Sequence, residues 1–224
     1  MRACLFSGGK DSTLAIHRMR DSGRPVDLLL SIVSQNDYSY MFHKPNILST
    51  ALQAQAMGIR HVVGGTVGEK EHELNDLEEL LVENGVTELV TGAVSSEYQK
   101  SRIDRICMKL GVEHIAPLWG ADPMKELNEL ASGYNVIITQ VAADGFDDSY
   151  LGARIDSAMI TKLVDLHKRK RINLLFEGGE AESFVLDAPL FGKRIAIDKA
   201  HAERHGQVGR YIIDEAHLEG KASV

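Results

Sequence analysis

The stretch that most limits what this chain can become is its start. Ala3 to Phe6 form a short apolar run that breaks into Ser7-Gly8-Gly9-Lys10-Asp11-Ser12 and then into a helical pattern, with Leu14, Ile16 and Met19 apolar and Gly23 closing it. That is the layout of a strand, an anion loop and a helix. Two adjacent glycines let the backbone approach an anion closely, and the helix start behind them offers unpaired amide donors and the positive end of its dipole. Ser7 and Ser12 add hydroxyls and Lys10 adds a cation. The spacing is neither the GxxxxGK[ST] loop of the Walker type nor the GxGxxG of dinucleotide folds. Gly-Gly followed by Asp-Ser can be a mere turn and helix cap, so its place at the first strand-to-helix junction, with a lysine inside, is what gives it weight.

The six residues resemble the PP-loop, SGGxDS, of the N-type ATP pyrophosphatases. In that superfamily the loop grips the pyrophosphate end of ATP and leaves the α-phosphorus open to a nucleophile. The resemblance therefore implies AMP and pyrophosphate as products, and no hydrolysis to ADP.

Composition narrows the setting. With 224 residues, 44% hydrophobic and 25% charged, the chain suits a globular protein of one large or two small domains. Its apolar runs are too short to span a bilayer and no signal peptide precedes the first strand, so a cytosolic protein with no membrane partner is expected. Cys4 and Cys107 form no CxxC and cannot build a disulfide framework; both read as small buried hydrophobes. A net charge of -7 opposes a large phosphate-tracking surface, so nucleic acid is not the expected partner. The basic run His167 to Arg171 reads as a solvated helix end, where cations are favoured.

Along the chain, strands and helices alternate. Val26 to Val33 reads as a buried strand, Asn46 to Met57 as a helix, His61 to Gly64 as a strand, Glu71 to Asn84 as a helix and Glu88 to Thr91 as a strand. This repetition predicts a parallel sheet with right-handed crossovers. The long polar loop Ser34 to Pro45, with His43 in it, follows a strand where α/β sheets place ligands. A helix with Ile103, Ile106 and Leu110 on one face ends at Gly111, and near Pro117 to Gly120 the pattern changes. Asp122-Pro123 is a helix start, cap followed by proline. We place the domain boundary there: residues 1–120 as an ATP-binding domain and 121–224 as a smaller mixed α+β domain for substrate recognition. In the second, Val136 to Val141, Asn173 to Phe176, Ser183 to Leu186, Arg194 to Asp198 and Val208 to Asp214 read as strands, and Ile155 to His167 as a helix. His201 and His205 are four apart, a spacing open to metal ligation on a helix face or to a solvated loop.

A second constellation follows Phe176: Glu177-Gly178-Gly179-Glu180-Ala181-Glu182-Ser183. Three carboxylates in six residues beside a glycine pair suit a cation site, a base near a reacting group, or a charged turn. SGGKDS, SQNDYSYMFH, GAVSSEYQKSR with PLW after it, and EGGEAESFVLDAPLF together resemble the diphthine-ammonia ligase family, the PP-loop proteins that complete diphthamide. The likeness runs to beyond Asp198, with mild departures at Ala181 and Ser183.

That resemblance implies an α/β fold, a PP-loop domain of the adenine nucleotide α-hydrolase type with a smaller C-terminal domain. It also implies an amide synthetase. ATP activates the carboxylate of diphthine, on translation elongation factor 2, as an acyl-adenylate, and ammonia displaces AMP. Carried over by position, Ser7, Gly8, Gly9, Lys10, Asp11 and Ser12 hold ATP phosphates, with magnesium on Asp11, and Gly92 lies against the nucleotide. Ser96, Glu97, Tyr98, Gln99 and Arg102 face the reacting centre as substrate-binding residues. Glu177, Gly178 and Gly179 bind substrate from the second domain. Lys10, Asp11, Glu180 and Glu182 form the catalytic set. The acidic residues, with Tyr98 or Trp119, would meet the trimethylammonium group of diphthine, which has no N–H to donate and suits aromatic faces. Free ammonium is the expected nitrogen source, and a homodimer is one assembly open to the chain. Two other readings stay open: a PP-loop amide synthetase for a small carboxylate, of the cobalamin-salvage type, and a non-catalytic ATP-binding module of the universal-stress type, whose members lack SGGKDS.

Overall fold

The apolar runs of the first half pair side by side in a computed structural model that describes residues 1–34, 46–66 and 70–221. The loop 35–45, with His43, lies outside the described residues. The chain divides into two compact units: Met1–Ser7, Asp11–Gln55 and Ile59–Gly120 in one, and Gly8–Lys10, Ala56–Gly58 and Ala121–Val224 in the other.

In the first unit, β1 (Arg2–Leu5), β2 (Leu28–Ser34), β3 (Arg60–Thr66), β4 (Glu88–Val90) and β5 (Glu113–Ile115) form a parallel sheet in the order β3-β2-β1-β4-β5. Strands covered on both faces read as continuous apolar runs, which is why LLLSIV in β2 shows no alternation and is buried through Ile32. Ala3, Leu28, Leu30, Ile32 and Leu89 share a core with Leu77, Leu80 and Leu81 of α3 (Lys70–Glu83) and with Ile103, Ile106 and Cys107 of α4 (Glu97–Leu110). With α1 (Lys10–Asp21) and α2 (Thr50–Met57) the unit is an α/β layer built on that parallel sheet. The chain steps outward from β1 to β3 and then returns to the other side of β1 with β4, so the strand order reverses between β1 and β4. Ligands of open α/β sheets sit at such a reversal, beyond the carboxyl ends of the strands.

The second unit holds α5 (Pro123–Gly133), β6 (Asn135–Val141), α6 (Ser157–Lys170), β7 (Ala181–Asp187), β8 (Lys193–His205) and β9 (Val208–Gly220), with an antiparallel sheet in the order β7-β6-β9-β8. Asp122 caps α5 by accepting from the Lys125 amide at 2.9 Å, with Pro123 in the first turn. Asp156 does the same for α6 through the Met159 amide at 2.8 Å, so this helix begins two residues later than its periodicity suggests. Arg171, at φ 60°, closes it beyond the basic run.

Four expectations change. Asn173 to Phe176 is not a strand: Asn173 Oδ1 accepts from the Leu175 amide at 2.8 Å and Phe176 sits at φ 66°. Local side-chain bonds of this kind compete with a strand ladder. His201 and His205 lie on neither a helix nor a loop but on β8, where His201 Nδ1 meets Asp214 at 2.9 Å. The short strands 194–198 and 208–214 are parts of a hairpin of thirteen-residue strands, bulged beside Lys199. The three-residue strand β5, within GVEHIAP, went unpredicted because it is too short and too polar to show a period.

Candidate active site

Of the SGGKDS loop, Ser7, Asp11 and Ser12 belong to the first unit and Gly8, Gly9 and Lys10 to the second. In the first unit, Asp11 stands in the opening turn of α1 and the Ser7 and Ser12 hydroxyls lie 3.4 Å apart. Gly92, just past β4, faces the same turn: a Cβ there would lie 2.6 Å from the Ser12 nitrogen and 2.7 Å from the Asp11 carbonyl carbon. Real Cβ atoms do not approach backbone that closely, so only glycine lets the end of β4 close on the start of α1. Gly92 thus packs against the backbone of the loop.

In the second unit, Gly8 takes φ 76°, a conformation natural to glycine, and its carbonyl accepts from the Val185 amide of β7 at 3.1 Å. The Lys10 amide donates to Ser183 Oγ at 3.2 Å. The Lys10 ammonium donates to the Leu175 carbonyl at 2.6 Å and lies 5.1 Å from the centroid of the Phe176 ring. Lys10 is 1% exposed. Beside it, Glu177–Gly179 form one 3₁₀ turn, with Gly178 and Gly179 both at positive φ. Glu180 Oε2 accepts from the Asn173 amide at 2.5 Å. Glu182 stands in β7 opposite Gln140 of β6. Among the described residues no group of three or more His, Cys, Asp or Glu could hold a metal ion.

At the head of α4, Ser96 caps the helix by accepting from the Gln99 amide, Glu97 sits in the first turn, and Tyr98 is 39% exposed. Arg102 donates to the Tyr98 hydroxyl at 2.7 Å with its guanidinium carbon 4.8 Å from the ring centroid. Lys100 lies 5.4 Å from the Trp119 ring centroid and bonds Asp104 at 2.7 Å.

The sequence matches the family described as diphthamide synthase N-terminal domain over residues 1–114, and the diphthamide synthase C-terminal domain over residues 122–218. The chain belongs to the diphthamide synthase family. A diphthine–ammonia ligase of Bos taurus is 31% identical over 250 residues, covering 99% of this chain and 93% of its own. One of Danio rerio is 32% identical over 248 residues, covering 98% and 97%. In Schizosaccharomyces pombe the protein of that name is 31% identical over 222 residues, and the match covers 90% of this chain but 36% of the longer one. A solved structure described as a predicted subunit of tRNA methyltransferase, from Methanocaldococcus jannaschii, overlaps at a TM-score of 0.44 and 18% identity, covering 84% of this chain and 98% of that chain, too low to bear on the assignment.

Within this diphthamide synthase fold, sequence reasoning overlooked one group. Asp104 of α4 meets His114 Nδ1 of β5 at 2.5 Å, and His114 Nε2 lies 2.8 Å from Thr91 Oγ1, next to Gly92. Burial works against ionisation of Asp104, but its bonds with His114 and Lys100 outweigh that and hold the carboxyl below the usual carboxylate range. No motif marks the trio, because the pairing depends on the register of β5. It also missed Asn173 and Leu175, whose roles rest on backbone atoms. Burial, with the Asp104 carboxylate second, pushes the Cys107 thiol up to about 11; burial raises Cys4 as well. Neither is poised as a thiolate nucleophile.

Proposed function

We propose that this chain joins ammonia to the carboxylate of diphthine, on translation elongation factor 2, using ATP and giving diphthamide, AMP and pyrophosphate. The observation that carries the reading is the SGGKDS loop at the strand-order reversal, backed by Gly92, in a chain whose relatives named diphthine–ammonia ligase align over nearly its whole length. Residues 1–120 serve as the ATP-binding domain and 121–224 as the domain that recognises the substrate.

Ser7, Gly8, Gly9, Lys10 and Ser12 would hold the phosphates through hydroxyls, amides and the ammonium, and Gly92 keeps the loop in shape. Asp11 is the loop carboxylate suited to Mg²⁺, which binds through one or two carboxylates and phosphate oxygens and would supply charge neutralisation there. The diphthine carboxylate needs no base, being ionised at neutral pH. Its oxygen attacks the α-phosphorus, the α–β phosphoanhydride bond breaks, and pyrophosphate leaves. Ammonia then attacks the acyl carbon, the bond to AMP breaks, and the ammonium-derived proton goes to solvent. Catalysis on this account is positioning and electrostatic stabilisation by fixed donors. Ser96, Glu97, Tyr98, Gln99 and Arg102 would face the acyl group, and Glu177, Gly178, Gly179 and Glu182 the modified histidine. No helix among the described residues is long and apolar enough to cross a membrane. We place the reaction in the cytoplasm, with free ammonium as nitrogen donor.

Incubation of the full chain with diphthine-bearing elongation factor 2, ATP and ammonium should convert the factor's carboxylate to the amide by mass, with one AMP and one pyrophosphate per amide. Asp11→Ala should lose nearly all turnover. Steady release of ADP, or AMP formed equally well without the factor, would overturn the reading.

A further inference from the structure

A relay of hydrogen bonds between side chains and backbone runs from Glu180 to Lys10 within the second unit. Glu180 Oε2 accepts from the Asn173 amide, Asn173 Oδ1 accepts from the Leu175 amide at 2.8 Å, and the Leu175 carbonyl accepts from the Lys10 ammonium at 2.6 Å. Glu180 is itself tied to the end of β6, its carbonyl accepting from the Ala142 amide at 2.8 Å. The residue after Leu175 completes the seat: the Phe176 ring lies 5.1 Å from the same ammonium, braced edge to face on Phe146 with centroids 6.3 Å apart.

A peptide carbonyl and an aromatic face are suited to orient an ammonium. Both attract it, and neither brings the negative charge with which a carboxylate would repel a phosphate. The loop that carries them has no regular ladder of its own. Its shape is held by the two side-chain acceptors, Glu180 and Asn173, each bonded to a backbone amide seven or fewer residues away, and by a turn bond from the Phe176 amide to the Asn173 carbonyl at 3.0 Å.

We propose that Glu180 and Asn173 are positioning residues for Lys10, holding the Leu175 carbonyl and Phe176 ring so that the ammonium is directed at the β- and γ-phosphates of ATP. This rests on the ATP reading above. It assigns Glu180 a part in nucleotide binding in place of a contact with the modified histidine.

The test is nucleotide binding by the full chain, with Mg²⁺, using the α,β-methylene analogue of ATP and, separately, AMP. Glu180→Ala and Asn173→Ala should each weaken the analogue about tenfold, the size of one charge-assisted hydrogen bond, while AMP, which lacks the outer phosphates, changes less than about twofold. Glu180→Gln keeps an acceptor oxygen for the Asn173 amide and should restore analogue binding. Unchanged analogue binding in both alanine variants, equal loss of analogue and AMP, or a Glu180→Gln variant as weak as Glu180→Ala would overturn the proposal. So would a Glu180→Gln variant that raises KM for the modified factor alone. Failure of the unaltered chain to bind the analogue would instead overturn the ATP reading, before any variant is compared.

Discussion

At Gly92 a missing side chain is the structural requirement. The 2.6 Å from a would-be Cβ to the Ser12 nitrogen means that alanine must push either β4 or the first turn of α1 aside. Backbone cannot yield as the tip of a flexible side chain can, so Gly92→Ala should lower stability by about 1–3 kcal/mol and weaken ATP analogue binding as well. Thermal unfolding and titration of the variant check this, and wild-type values in both would show the loop to be more pliable than its geometry indicates. The family resemblance alone assigned Gly92 to the nucleotide, while from the residues themselves it was only the glycine that ends a strand. The sequence could not say whether nucleotide or backbone approaches. Glu180 shows the same limit: EGGEAE advertises charge, whereas the partner of Glu180 is an amide seven residues earlier.

Among the elements, α4 and β5 are joined through Asp104, His114 and Thr91. Because the folded state holds Asp104 below the usual carboxylate range, its bonds stabilise the fold at pH values above the unfolded carboxyl's pKa. That contribution is lost as pH falls through the lower, folded value. Asp104→Asn should therefore destabilise the protein near neutrality and match the wild type once the pH is below the lowered, folded-state pKa of Asp104. The difference at neutral pH should be at most about 1 kcal/mol, since the Asp104 side chain is 43% exposed and solvent screens it. Unfolding curves at several pH values measure it; an equal deficit throughout would assign the effect to packing. The start of α5 was legible from its cap at Asp122, because capping is a local bond. The loop 173–176 misled because two leucines and a phenylalanine look like a strand, while the asparagine before them bends the chain.

For the molecule as a whole, the proposed chemistry draws its nitrogen from ammonium and uses no thiol. Cys4 and Cys107 are both buried, and burial raises both thiols. The double variant Cys4→Ala, Cys107→Ala should thus amidate the modified factor at saturating ammonium within about twofold of the wild type; a folded double variant that cannot amidate would reveal a thiol step. The sequence alone determined the alternation of strands and helices, the parallel sheet and the turn at SGGKDS that joins the first strand to the first helix, because each follows from local periodicity, caps and glycine placement. The family resemblance, too, was carried by contiguous motifs. Only the tertiary structure decided the order β3-β2-β1-β4-β5, the thirteen-residue hairpin, the Asp104 and His114 link, and the seat of the Lys10 ammonium. Those depend on which backbone atoms meet across long stretches of chain, and the side-chain order along the chain does not encode that directly.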